Sequence, residues 1–173
     1  MPKVTHNNLG LRTWLEISQA ALAHNYQLWR GLLRPNCQLM AVTKSNAYGH
    51  SLIDFSKNCQ ALGVDWLGVD SLIEALKLRA EGISKPILVL GYTFPEMIER
   101  AIEANISLTF SGWENLRALA RLGQVVGLKI HLKFDTGMSR QGWFPAETAG
   151  ILQFIKDNLP QVIIEGVYTH FAG

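Results

Sequence analysis

Three stretches of the sequence put chemistry-bearing side chains directly after short apolar runs. Lys44 follows Gln38–Val42 (QLMAV) and Thr43, and leads into Ser45-Asn46-Ala47-Tyr48-Gly49-His50. An amine at the end of a buried strand is costly unless it is paired or used. Partial burial also lowers an amine pKa and frees a nucleophile able to form a Schiff base. A rim lysine reaching water is the bland alternative. A second run ends in Lys133-Phe134-Asp135-Thr136-Gly137-Met138-Ser139-Arg140-Gln141-Gly142. Here Lys133 points into the end of the fold, and Asp135 and Thr136 can hydrogen-bond the turn. Arg140 stands on a glycine-bounded loop that suits a phenolate, carboxylate or phosphate, or else a surface ion pair. A third run ends in Thr169-His170-Phe171. A lone histidine is more often structural, but three such strand ends together point to a site.

The elements that must position these residues alternate regularly. Short runs rich in Val, Ile and Leu sit at Gln38–Val42, Trp66–Val69, Ile87–Leu90, Ile106–Phe110, Leu128–Phe134 and Ile163–Thr169, as expected of buried parallel strands. A shorter strand is expected at Thr13–Ile17, with a helix beginning near Ser18. Helical stripes lie between the runs: Leu52, Phe55, Cys59, Leu62; Leu72, Ala75, Leu76, Arg79; Met97, Ile98, Ala101, Ile102; and Leu116, Leu119, Ala120. Capping boxes are predicted at Ser71/Glu74, Thr93/Glu96 and Ser111/Glu114, with helix C-termini at Gly63, Gly82 and Gly123. No Rossmann or P-loop fingerprint follows any strand. The repeat, at roughly 20–26 residues, favours a TIM-type (β/α)8 barrel over a doubly wound sheet. Only about six parallel strands follow the leading one, in 173 residues, whereas such barrels typically need ~250. The barrel is therefore expected to be incomplete, with an open edge after Thr169.

Composition narrows the functional classes. Hydrophobic residues make up 48% and charged residues 17%, which excludes a disordered segment. The 16 Lys+Arg against 14 Asp+Glu are scattered, so no nucleic-acid partner is expected. Cys37 and Cys59 form no C-x-x-C pair and read as small core residues, with no metal site. No signal peptide or membrane-length run is visible, so a cytoplasmic chain is expected.

Taken whole, these residues resemble the alanine racemases. AVTKSNAYGH (41–50) is similar to their pyridoxal-phosphate lysine motif, and KFDTGMSRQGW (133–143) to their second signature. Residues 168–172 (YTHFA) resemble a third signature, and RTWLEISQAALAHNY (12–26) the family's opening. The resemblance, from Arg12 to Ala172, implies a fold-type III barrel isomerase that interconverts L- and D-alanine for peptidoglycan, as a homodimer in full-length form. It implies that Lys44 holds pyridoxal 5'-phosphate as an internal aldimine and is one of two bases. Tyr48 would donate to the cofactor phosphate. Lys133 matches a lysine often carbamylated in the family, positioning Arg140 near the phenolic oxygen. His170 would pack against the pyridine ring. Ser51 departs from the family's usual glycine. Residues 1–173 read as the N-terminal barrel domain alone, without the C-terminal β-domain that carries the opposite base, so this chain is expected to racemise alanine poorly. The alternatives are a racemase for serine or other amino acids, and a non-catalytic pyridoxal-phosphate-binding barrel protein.

Overall fold

The computed structural model describes residues 12–123 and 125–172. Six parallel strands form one sheet in sequential order: β1 (Met40–Val42), β2 (Trp66–Val69), β3 (Ile87–Val89), β4 (Ser107–Phe110), β5 (Lys129–Phe134) and β6 (Ile163–Thr169). Helices α1 (Gln19–Leu32), α3 (Leu52–Leu62), α4 (Leu72–Ala80), α5 (Ile98–Glu103), α6 (Trp113–Leu122) and α7 (Thr148–Asn158) alternate with them. Between β1 and α3 lies a single tight turn, α2 (Lys44–Tyr48). A strand order that never reverses is that of a barrel wall and not of a doubly wound sheet. Among the described residues β1 pairs only with β2 and β6 only with β5, so the barrel wall is open.

Two expectations about the N-terminal part are corrected. Thr13–Ile17 forms no strand: Thr13 to Glu16 are exposed, and the sheet among the described residues begins at β1. The first regular element among the described residues is α1, whose N-cap Ser18 accepts the Ala21 amide at 3.1 Å. Cys37 is exposed, because it sits in the turn between α1 and β1; Cys59 is buried in the core, which pushes its thiol pKa up to about 11.

Side-chain parity explains where the core lies. Leu67 and Val69, Ile87 and Val89, Leu108 and Phe110, and Ile130 and Leu132 all point to the same side of the sheet. There they meet Leu72, Ala75 and Leu78 of α4, Ile98 and Ala101 of α5, Leu116 and Leu119 of α6, and Ile151 and Ile155 of α7. The stripe of α7 is present in the sequence at helical spacing but was not among the expected helices. Gly63, Gly82 and Gly123 do take positive φ at helix ends. Of the three capping boxes, only Ser71/Glu74 forms. Phe94 replaces Thr93 as N-cap because Pro95 opens a 3-10 turn, and Gly112 replaces Ser111.

Arg79 ties the helix layer to the bottom of the sheet. Its guanidinium donates to the carbonyls of Ala104 (3.0 Å), Ile83 (2.8 Å), Lys85 (2.7 Å) and Asn105 (3.0 Å). Only the planar fork of arginine reaches four acceptors in this arrangement. Arg79→Lys is therefore expected to lower unfolding free energy by roughly 2–3 kcal/mol, as bonds from a charged donor are lost and buried carbonyls are left open. A denaturant melt that shifts by less than about 0.5 kcal/mol would contradict this.

Candidate active site

The face of the sheet opposite the helices carries the polar residues of the strands. Alternation within β5 sends Lys129, His131 and Lys133 there, while Ile130 and Leu132 enter the core. Ser107 and Thr109 of β4 face the same way, bonded to Glu165 and Tyr168 of β6. The upper end of this concave face opens into a cavity of about 380 Å³ lined by Lys44, Tyr48, Asp70, Lys133, Arg140, Gln141, Tyr168 and His170, among others. All five site residues expected from the sequence thus lie around one cavity. An apolar groove of about 260 Å³ beside α1, lined by Leu22, Trp29 and Phe55 among others, holds no such cluster of charge.

Lys44 stands where β1 ends, at the start of a turn wound left-handed. Ser45, Asn46, Ala47 and Tyr48 have φ of 54°, 57°, 52° and 53°. L-residues avoid this region because Cβ crowds the following carbonyl. The turn is held from several sides. The Thr43 amide continues the ladder to the Gly68 carbonyl (2.8 Å), and the Asn46 side chain accepts the Leu52 amide (2.8 Å). Glu74 accepts the Ser45 amide at 2.8 Å. The Lys44 ammonium lies 3.2 Å from Asp70 Oδ1.

Lys133 is 5% exposed and donates to Gln141 Oε1 at 3.2 Å, 5.8 Å from the centre of the Tyr168 ring. Burial lowers its pKa, the charges of Arg140 and Lys44 lower it further, and Asp135 opposes them. Gln141 is itself anchored, its amide donating to Ser111 Oγ at 2.9 Å. That is where the missing capping serine is spent. As the sequence suggests, Asp135 organises the Arg140 loop: its carboxylate accepts the amides of Gly137 (2.9 Å), Ser139 (3.0 Å) and Arg140 (3.0 Å). These amides hold its pKa below the usual range. Thr136 pairs with Thr169 at 2.7 Å, joining the loop to β6. The loop returns through Gly142, at φ 138°, where a Cβ would stand 2.5 Å from the Asp135 nitrogen.

Asp70, Glu74 and Gln141 are the parts of this site that sequence reasoning missed. Asp70 follows β2 as Lys44 follows β1, so its position at a strand end was the available signal. Gln141 and Glu74 act through partners 30 and 29 residues away, and no local pattern marks that.

The sequence profile of the alanine racemase N-terminal domain matches residues 17–173. The chain belongs to that family. It is 41% identical over 163 residues to an alanine racemase of Methanococcus maripaludis, covering 92% of this chain and 43% of that protein. It superimposes with a TM-score of 0.85 on alanine racemase from Bacillus anthracis with bound L-Ala-P, at 36% identity, covering 92% of this chain and 42% of the other. A histidine racemase from Leuconostoc mesenteroides subsp. sake is similar at a TM-score of 0.82 and 34% identity, covering 91% and 42%. The chain spans less than half the length of the curated relatives it matches.

Ser51 stands where the sequence resemblance leads glycine to be expected. It sits at φ 72°, a conformation that glycine adopts without strain. The serine offsets this by capping α3: its hydroxyl donates to Asp54 Oδ2 at 2.7 Å and accepts the Asp54 amide at 3.4 Å.

Below the cavity of this racemase-family barrel, Glu165 gathers Ser107, Lys129 (3.7 Å) and His131 (3.4 Å). Burial lowers the His131 pKa, and the Glu165 carboxylate only partly opposes it. A depressed histidine pKa means the unfolded chain takes up the proton first as pH falls. Stability is then complete above the unfolded value near 6.5 and declines below it, by at most about 1.4 kcal/mol per pH unit. Urea melts between pH 5 and 7.5 should show this decline, and His131→Asn should flatten it. An equal pH slope in the variant would assign the effect elsewhere.

Proposed function

We propose that the chain forms the cofactor-holding part of an amino-acid racemase, and that its reaction is the interconversion of L- and D-alanine. The observation that carries this reading is the Lys44 amine at a strand end, 3.2 Å from Asp70, in one cavity with Tyr48, Lys133, Arg140 and His170. The likeness to alanine racemases over nearly the whole chain supports it.

The donor set fits pyridoxal 5'-phosphate: the Lys44 amine for an aldehyde, the Tyr48 phenol as a donor to a phosphate carrying about −1.5 to −2 charges, and the Arg140 cation for a phenolic oxygen. When bound, the cofactor supplies an electron sink that acidifies the α-hydrogen of an amino acid. Lys44 is assigned to hold it and, once released, to carry a proton to or from the α-carbon on one face. Tyr48 is assigned to the phosphate, Arg140 to the phenolic oxygen and His170 to the ring. Racemisation needs a base on each face, because one removes the proton and the other returns one. We assign the second base to a part of the family enzyme that this chain does not span, in a homodimer. Lys133 is assigned a positioning role. Its amine, shifted toward the neutral form, can add carbon dioxide and release one proton, and the resulting anion would neutralise Arg140. D-alanine made this way would feed peptidoglycan synthesis in the cytoplasm.

A second reading, racemisation of a different amino acid, is favoured by the likeness to a histidine racemase at nearly the same TM-score. Racemisation assays on a panel including alanine, serine and histidine, with the longest available form of the protein, separate the two.

Borohydride reduction of the chain with pyridoxal phosphate, followed by peptide mapping, should place the label on Lys44, and Lys44→Gln should remove it. Label on Lys133 with Lys44 clean would overturn the assignment.

A further inference from the structure

The Glu74 carboxylate is used twice. Within its own helix it completes a capping box: Ser71 Oγ accepts the Glu74 amide (3.3 Å), and Oε2 accepts the amides of Asp70 (2.8 Å) and Ser71 (3.4 Å). Capping asks nothing more of it. Yet its other oxygen, Oε1, accepts the Ser45 amide at 2.8 Å, from a residue 29 positions earlier. Ser45 is the residue after Lys44 and the first in the left-handed turn, at φ 54° and ψ 51°. Asp70, held by the opposite oxygen, is the residue whose side chain pairs with the Lys44 ammonium. One carboxylate therefore fixes the backbone beside both members of the Lys44–Asp70 pair.

We propose that Glu74 is a positioning residue for Lys44: it locks the turn after β1 to the turn after β2, so that the amine and its counter-ion meet at the cavity. This rests on the reading of Lys44 as the cofactor lysine, but its mechanical part does not.

The test compares Glu74→Gln, Glu74→Asp and Ser71→Ala in the 173-residue chain. Glutamine keeps the size but must aim an NH2 either at the Ser45 amide or at the amides of Asp70 and Ser71. Aspartate keeps the charge and the helix-end interaction but is a methylene too short to span both turns. Ser71→Ala weakens the cap and leaves the bridge. Two readouts are taken: amide exchange at Ser45 through Tyr48, and borohydride-trapped pyridoxal phosphate on Lys44 at a subsaturating concentration. Both Glu74 variants should speed exchange at Ser45 roughly tenfold or more and cut the Lys44 adduct by a similar factor, the expected scale for losing a bond to a charged acceptor. Ser71→Ala should stay within about twofold of wild type in both, even where its melting temperature falls further. The inference is overturned if Glu74→Asp and Glu74→Gln leave exchange and adduct within twofold, or if Ser71→Ala loses them equally. Should the unaltered chain give no adduct on Lys44, the reading of Lys44 fails, and the mechanical claim stands or falls on Ser45 exchange alone.

Discussion

The structure depends on holding Lys133, a residue only 5% exposed, with no carboxylate in contact among the described residues. A buried ammonium without a paired anion is expensive, and the fold lowers that cost in several ways. Burial and two neighbouring cations shift the amine toward its neutral form. Gln141 offers a neutral acceptor, and the Tyr168 ring lies below it. Ser111 fixes the other end of Gln141, while Gly112 and not Ser111 is the N-cap of α6.

A comparable cost falls on the turn that presents Lys44. Left-handed backbone costs roughly 1–2 kcal/mol per non-glycine residue, and four such residues follow one another here. Strain of this kind persists only where the surroundings over-determine it. The bonds from Glu74, the Asn46 side chain and the Thr43 ladder amide supply that determination from three directions. An ordinary right-handed turn would relieve the backbone, but it would release the Ser45 amide from Glu74.

The sequence was legible where local rules decide the outcome. All six strands, most of the helices and the Ser71/Glu74 cap follow from apolar periodicity and from side chains that bond three residues away. Lys44, Lys133, Arg140 and His170 stand out as charged or titratable residues at strand ends, whereas Tyr48 enters through the resemblance to alanine racemases; all five line the one cavity. What stayed hidden acts at a distance or needs a neighbour. Thr13–Ile17 has strand-like composition, but it stands outside the six-stranded sheet of the described residues. Thr93 has the right spacing for a cap, but Pro95 presets a tighter turn. Cys37 is apolar by type, and the turn it occupies faces solvent. Glu74 had a satisfactory local role, which concealed its long-range one.

Curvature is the last element the site requires. Lys44 and Lys133 belong to ends of the sheet separated by three intervening strands, yet they line one cavity with His170 beyond β6. A flat parallel sheet with strands about 4.8 Å apart would hold the ends of β1 and β5 roughly 19 Å from each other. Helices packed on one face only, together with the accumulated strand twist, curl the sheet toward its other face and close that distance. The apolar parity of Leu67, Val69, Ile130 and Leu132 is therefore a functional feature as much as a stabilising one. By drawing the helices to the convex side, those residues bring the amines of two remote strands around one ligand-sized space.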